Sequence, residues 1–232
     1  MKTAISALVL AIGTLSAPAF AGLSVNVGAI TVAPNDSSSS LNVVEQVAGL
    51  PAGSTAVSVN NNTQLGLTLD YAINKNWTVE LIAATPFSHD VEVKGSAIDG
   101  LDIGNTKHLP PTLVAQYHFD LGDSKFDPFV GVGLNYTKFF DSSASGTLKS
   151  TLQALKVTTS ADDVDLKLDD SFGLALQAGV NYQINSNWGA HLMVSKMDID
   201  TTGEVKVNGN TIQKVDVQID PLVVMVGVRW TM

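Results

Sequence analysis

Much of the chain is written in a two-residue rhythm. At residues 64–73, Leu65, Leu67, Leu69, Tyr71 and Ile73 share one side, and Gln64, Gly66, Thr68, Asp70 and Ala72 the other. Successive side chains of a strand point to opposite faces, so this alternation predicts strands rather than helices. The same rhythm returns at 77–84, where Trp77, Val79, Leu81 and Ala83 oppose Thr78 and Glu80. It returns at 112–119, with Leu113, Ala115, Tyr117 and Phe119 against Thr112, Val114, Gln116 and His118. Further runs occupy 126–140, 171–184, 188–194 and 222–232. Residues 23–33 form a first strand, and its phase shift near Ala29 and Ile30 predicts a bulge. About eight strands result.

Their connections alternate in length. Short polar turns at 74–76, 120–125 and 185–187 contrast with long loops at 35–62 and 141–170, the first carrying at 41–50 a modestly apolar segment that forms either a short helix or a flap. Residues 77–119 predict a hairpin turning near 97–101, with Pro86 opposite Pro111 and His89 opposite His108. Asn208-Gly209 marks a tight hairpin tip. Aromatic residues gather at the short-turn ends (Tyr71, Trp77, Tyr117, Phe119, Phe126, Tyr182, Trp188, Trp230), with a second group toward the long loops (Phe87, Tyr136, Phe139, Phe140). Two such girdles are expected where a barrel meets the two membrane interfaces. The pattern therefore predicts an all-β fold: an eight-stranded antiparallel transmembrane β-barrel with short periplasmic turns and long extracellular loops. A secreted lipocalin-type barrel also alternates, but its outer face would be polar.

Composition narrows the setting. Lys2, the apolar run 4–15 and the Ala19-Phe20-Ala21 cleavage site form a secretory signal, leaving 22–232 as the mature barrel. No later segment approaches the roughly 18 apolar residues that a membrane helix needs. Hydrophobic residues nonetheless make up 45% of the chain, and mean hydropathy is +0.20. Losing the signal removes one of 13 basic residues against 22 acidic ones, for a mature charge of −10. No basic stripe exists to neutralise phosphates, which excludes a nucleic-acid partner. With no cysteine in an exported chain, a disulfide framework is excluded too.

Several strings resemble the OmpW family of Gram-negative outer-membrane proteins: LIAATPFSHD at 81–90, KHLPPT at 107–112, PFVGVGLNYT at 128–137 with FFD at 139–141, and LDDSFG at 168–173. The resemblance runs across nearly the whole mature chain. It implies an eight-stranded barrel with a narrow, largely apolar channel for small hydrophobic molecules. One departure concerns assembly. Barrels of this kind usually end on an aromatic residue read by the barrel assembly machinery, whereas this chain ends Trp230-Thr231-Met232, so Trp230 is expected to serve.

The inward faces suggest a mechanism. Near the short turns they carry Asp70, Thr78, Glu80, Gln116, His118, Asn181 and Arg229; higher up they carry Ile82, Ala84, Val114, Ala175, Met193, Val223 and Met225, with Gly131, Gly133 and Gly173 leaving space. A water pore would be polar throughout. One reading is a periplasmic plug of Asp70, Glu80, His118 and Arg229, with Arg229 paired to Asp70 or Glu80, beneath an apolar channel through Ile82, Ala84, Val114, Met193, Val223 and Met225. On that reading, removing Arg229 raises conductance. The other reading is a small barrel that simply fills its interior. Pro86, Pro110 and Pro111 lack backbone donors and define either a lateral gap in the wall or bulges at the rim. His89, His108 and Asp90 have the chemistry to hold zinc loosely, but a hydrogen-bonding rim pair is the commoner outcome, so neither metal nor cofactor is predicted. Asp162, Asp163, Asp165, Asp169 and Asp170 form an acidic loop that either bridges divalent cations to lipopolysaccharide or is a solvated face. No H-E-x-x-H or G-x-S-x-G motif occurs, and no enzyme is predicted. The expected partners are outer-membrane lipid, lipopolysaccharide and small hydrophobic solutes. The alternative is a non-transporting barrel acting as a surface receptor or structural, stress-response protein.

Overall fold

The computed structural model describes residues 22–232, and the export signal at 1–21 lies outside them. In chain order the elements are β1 (Leu23–Ala33), β2 (Ser37–Ser38), α1 (Asn42–Ala48), β3 (Ala56–Val59), β4 (Asn62–Ala72), β5 (Trp77–Ala84) and β6 (Phe87–Lys94). A 3₁₀ turn at Ser96–Ile98 leads to β7 (Asp102–Leu109), β8 (Thr112–His118), β9 (Phe126–Ala144) and α2 (Gly146–Ala154). Then come β10 (Val164–Leu168), β11 (Ser171–Gln183), β12 (Trp188–Met197), β13 (Asp200–Val207), β14 (Asn210–Gln218) and β15 (Leu222–Thr231).

Eight of these strands close an antiparallel barrel in the order β1, β4, β5, β8, β9, β11, β12, β15 and back to β1. Closure leaves no free edge, which a lipid environment demands because it offers backbone groups no other partner. Two of the short turns are the same device. In Asn74-Lys75-Asn76-Trp77 the Asn74 side chain accepts from the amides of Asn76 and Trp77, and in Asn185-Ser186-Asn187-Trp188 Asn185 does the same for Asn187 and Trp188. Each turn thereby delivers a Trp to the lower rim.

The outside of the eight staves is apolar. Leu65, Leu67, Leu113, Val132, Leu134, Leu174, Leu176, Val226 and Val228 all face outward and exposed. Below them the aromatic rim is continuous in places, with Trp77 edge-on to Tyr117 at 5.3 Å and Phe126 beside Tyr182 at 5.0 Å. At the upper end of this belt the polarity inverts. In β6, Phe87, His89, Val91 and Val93 are buried while Asp90, Glu92 and Lys94 are exposed. In β14, Gln213, Val215 and Val217 are buried while Lys214, Asp216 and Gln218 are exposed. The remaining strands and the two helices thus extend the barrel into water around an apolar interior.

The inversion corrects three expectations. β1 pairs without a register shift on both sides, so there is no bulge at Ala29 and Ile30. Its inward face simply changes from Ser24 and Asn26 to Ile30 and Val32, while its outward face ends in Thr31 and Ala33. Phe87 and Phe139 do not belong to an upper girdle: both are buried, whereas Tyr136 and Phe172 face outward. In the case of Phe87 the break at Thr85 and Pro86 changes which parity points inward, from even residues in β5 to odd ones in β6. Finally, the segments 35–62 and 141–170, read largely as loops, contain α2 and three short strands, while α1 is the short helix that 41–50 allowed. The hairpin tip forms as expected, with Asn208 and Gly209 both at positive φ.

Candidate solute channel

The inward faces stack four environments on one axis. Uppermost is an apolar cavity of about 120 Å³ roofed by α1 and α2, with Val44 and Val47 from one and Leu148 and Leu152 from the other. Ser145 caps α2 by accepting from the Leu148 amide, and Gly49 ends α1 at φ 67°. The segment after α1 is tied back by Glu45, whose carboxylate accepts from the Thr55 hydroxyl (2.7 Å) and amide (2.9 Å) and from the Gly53 amide (2.9 Å). These donors hold the Glu45 carboxyl below its ordinary pKa, the Thr55 hydroxyl foremost.

Directly below, and sharing Leu41, Ile103, Val205 and Gln213 with the first, is a second apolar cavity of about 60 Å³. Its wall includes Val91, Ile219, Phe139 and two imidazoles, His89 and His108. The aromatic rings form a stack. Phe87 lies 5.2 Å from His108 at 18°, and His108 lies 4.9 Å from His89 at 20°. These groups lie above the apolar belt. Burial pushes both imidazoles down, that of His108 to about 3, so both are neutral at neutral pH. The registration differs from that expected, since His108 pairs with Phe87 and His89 with Thr106. Near-parallel rings direct their in-plane lone pairs alongside one another, not toward one shared point, which is poor geometry for a common zinc ion.

Beneath the cavities the lumen is packed. Val114, Ala175, Met193 and Met225 have no exposed surface, and Ile82 and Val223 scarcely any, while Ala84 is half-buried. The glycines expected to leave space are occupied: a Cβ at Gly131 or Gly133 would meet Val114 at 2.6 or 2.9 Å. Gly173 is closed against the backbone of Asp198.

The floor is polar and continuous. Arg229 pairs with Asp70, not with Glu80, and also donates to Asn26 at 3.2 Å. Asp70 accepts further from Asn26 and Thr68, both at 2.9 Å. Across the lumen Gln177 donates to Glu80 (2.7 Å) and Gln116 donates to Gln177 (2.9 Å); Gln116 in turn meets His118 (3.2 Å), which meets Asp127 (2.8 Å). Asn181, which the alternation turns inward, completes the layer with His191 at 2.8 Å.

The prolines interrupt one wall. The β5–β8 ladder ends at Ile82 opposite Thr112, and pairing resumes only at Phe87 opposite His108. No backbone hydrogen bond joins Thr85 or Pro86 to Pro110 or Pro111 among the described residues. At the corresponding break between β12–β13 and β14–β15, by contrast, Met197 donates to Pro221 (3.2 Å) and Ile219 to Ile199 (2.8 Å). Pro86 and Pro111 are exposed, Pro110 is buried, and Phe87 lies fully buried between this interruption and His108.

Known proteins resemble this chain in sequence and fold. The OmpW family profile matches residues 21–232. Outer membrane protein W of Vibrio cholerae serotype O1 is 43% identical over 98% of both chains. Outer membrane protein W of Escherichia coli K12 is 45% identical over 72% of both. Among solved structures, the outer-membrane protein OprG of Pseudomonas aeruginosa superposes with a TM-score of 0.76 at 37% identity, covering 90% of this chain and 95% of that one.

Proposed function

The chain belongs to the OmpW family of outer-membrane proteins, and on that premise we propose that it admits small hydrophobic molecules from outside and releases them sideways into the bilayer. The observation that carries this reading is the inversion of polarity above the belt. An apolar interior raised into water on polar-faced strands gives hydrophobic molecules a place to leave the aqueous phase before they reach lipid. A molecule that enters under α1 and α2 meets the two cavities in turn. Below them Val114, Met193 and Met225 close the way, and Arg229 with Asp70 seals the floor behind them. The interrupted ladder at Pro86, Pro110 and Pro111 lies just above outward-facing Leu113, so a solute that passes there arrives among lipid chains.

On this reading residues 1–21 direct export and are removed, and Trp230 presents the assembly signal. Divalent cations bridge the acidic loop around Asp162 to lipopolysaccharide. Uptake of radiolabelled toluene by cells with and without the protein tests the proposal. A protein-dependent gain is expected, and equal rates would refute passage. The packed lumen favours one other reading, a receptor or structural barrel without flux. Deleting 35–62 separates the two, because it alters the flux of a channel only.

A further inference from the structure

The lower cavity is not wholly apolar. Its two imidazoles leave nitrogens without partners, His89 Nε2 and His108 Nδ1, on side chains that are 2% and 5% exposed. Such groups are costly to bury, and a pair lining one cavity calls for a reason. The position of one proton follows from geometry. His89 Nδ1 lies 2.6 Å from the Asn60 carbonyl oxygen, which only accepts, so the ring N–H sits on Nδ1. His89 Nε2 therefore offers a lone pair and needs a donor. His108 Nδ1 has no partner to fix its tautomer and is free to carry the N–H. The rings stack face to face and direct their in-plane nitrogens side by side, so each nitrogen takes its own partner, and the lone pair fixed on His89 Nε2 is the one that calls for a donor.

We infer that the His89 imidazole selects solutes that carry a hydroxyl on an apolar body, such as phenols or short alkanols, over the corresponding hydrocarbons. The hydroxyl donates to His89 Nε2, while the body packs on Val91, Ile219 and the ring of Phe139 and extends past Ile103 and Leu41, which also line the larger cavity above. A hydrocarbon fills the same space but leaves His89 Nε2 unsatisfied. A carboxylate is disfavoured because it brings charge into an apolar site and cannot donate to His89. This inference rests on the reading of the cavities as a solute path and names what that path prefers.

The test uses the full-length mature protein in lipid nanodiscs, labelled with ¹⁵N at histidine and ¹³C at the methyl groups of Val, Ile and Leu. p-Cresol and toluene serve as matched probes. The account expects p-cresol to shift the His89 Nε2 resonance and to bind about tenfold more tightly than toluene, the worth of roughly one additional buried hydrogen bond. His89→Phe abolishes that preference while the methyls of Val91 and Ile219 still respond to both probes. If the two probes bind equally, or p-cresol binds without moving either imidazole, the selection is overturned and the apolar path stands. If neither probe perturbs the cavity methyls, selection and path both fall.

Discussion

Replacing Arg229 by Ala tests whether the floor is one of two seals in series. Asp70 is 2% exposed and the Arg229 side chain 16%, so the substitution strands a carboxylate in the lumen. Stranding a buried charge costs about 3–5 kcal/mol. Here Asn26 and Thr68 still donate to Asp70, and Arg229 is partly solvated, which moves the expectation to about 2–3 kcal/mol. Urea titration of the folded fraction in lipid vesicles, read by the heat-dependent shift in gel mobility, measures this loss. A double-mutant cycle with Asp70→Asn should return a coupling of about 2 kcal/mol. Conductance in planar bilayers should stay at the wild-type level, because Val114, Met193 and Met225 close the lumen above the pair. The alternation alone led to the opposite expectation, since it gave no sign that the apolar level is packed solid. A variant that loses less than about 0.5 kcal/mol, or one that conducts, refutes two seals in series.

Three further outcomes follow from the upper half. Phe87→Ala removes the fully buried ring between His108 and the proline break; it should cost about 3–5 kcal/mol and raise toluene uptake several-fold, and unchanged uptake would show that the ring is not the barrier. His108 is held neutral with its pKa near 3 while the unfolded chain titrates near 6.5, so stability is complete above pH 6.5 and falls as pH drops toward 3. Wild type measured against His108→Phe should therefore lose about 2 kcal/mol more between pH 6.5 and 4.5, and parallel curves would contradict the buried neutral imidazole. Glu45→Ala frees the segment after α1 and should abolish hydrogen-exchange protection of the Gly53 and Thr55 amides; retained protection would mean that the roof is held by packing alone.

The eight staves were legible because one physical rule governs them. Lipid on the outside forces every second residue to be apolar, and the period of two survives from Leu65 to Val228. The lower lumen was legible for the same reason, and Asp70, Glu80, His118 and Arg229 all face inward there. Above the proline break the rule inverts. Water lies outside and the apolar interior inside, so alternation persists while its meaning reverses. Phe87 and Phe139 read as rim aromatics for that reason and prove to be cavity wall. The cavity itself draws on segments far apart in sequence, with Leu41, Ile103 and Val205 meeting through long-range pairing that periodicity does not encode. Packing of the apolar level was equally hidden, because a glycine that leaves space and a glycine that receives Val114 look identical in sequence.

Sideways release stands or falls with uptake of radiolabelled toluene by cells carrying the Pro86→Val, Pro111→Val double variant. These substitutions restore backbone donors at the interrupted ladder without touching the cavities or the floor. The account predicts that protein-dependent uptake falls to the level of cells lacking the protein, while Arg229→Ala cells keep theirs. Uptake undiminished in the proline variant would contradict release through the wall.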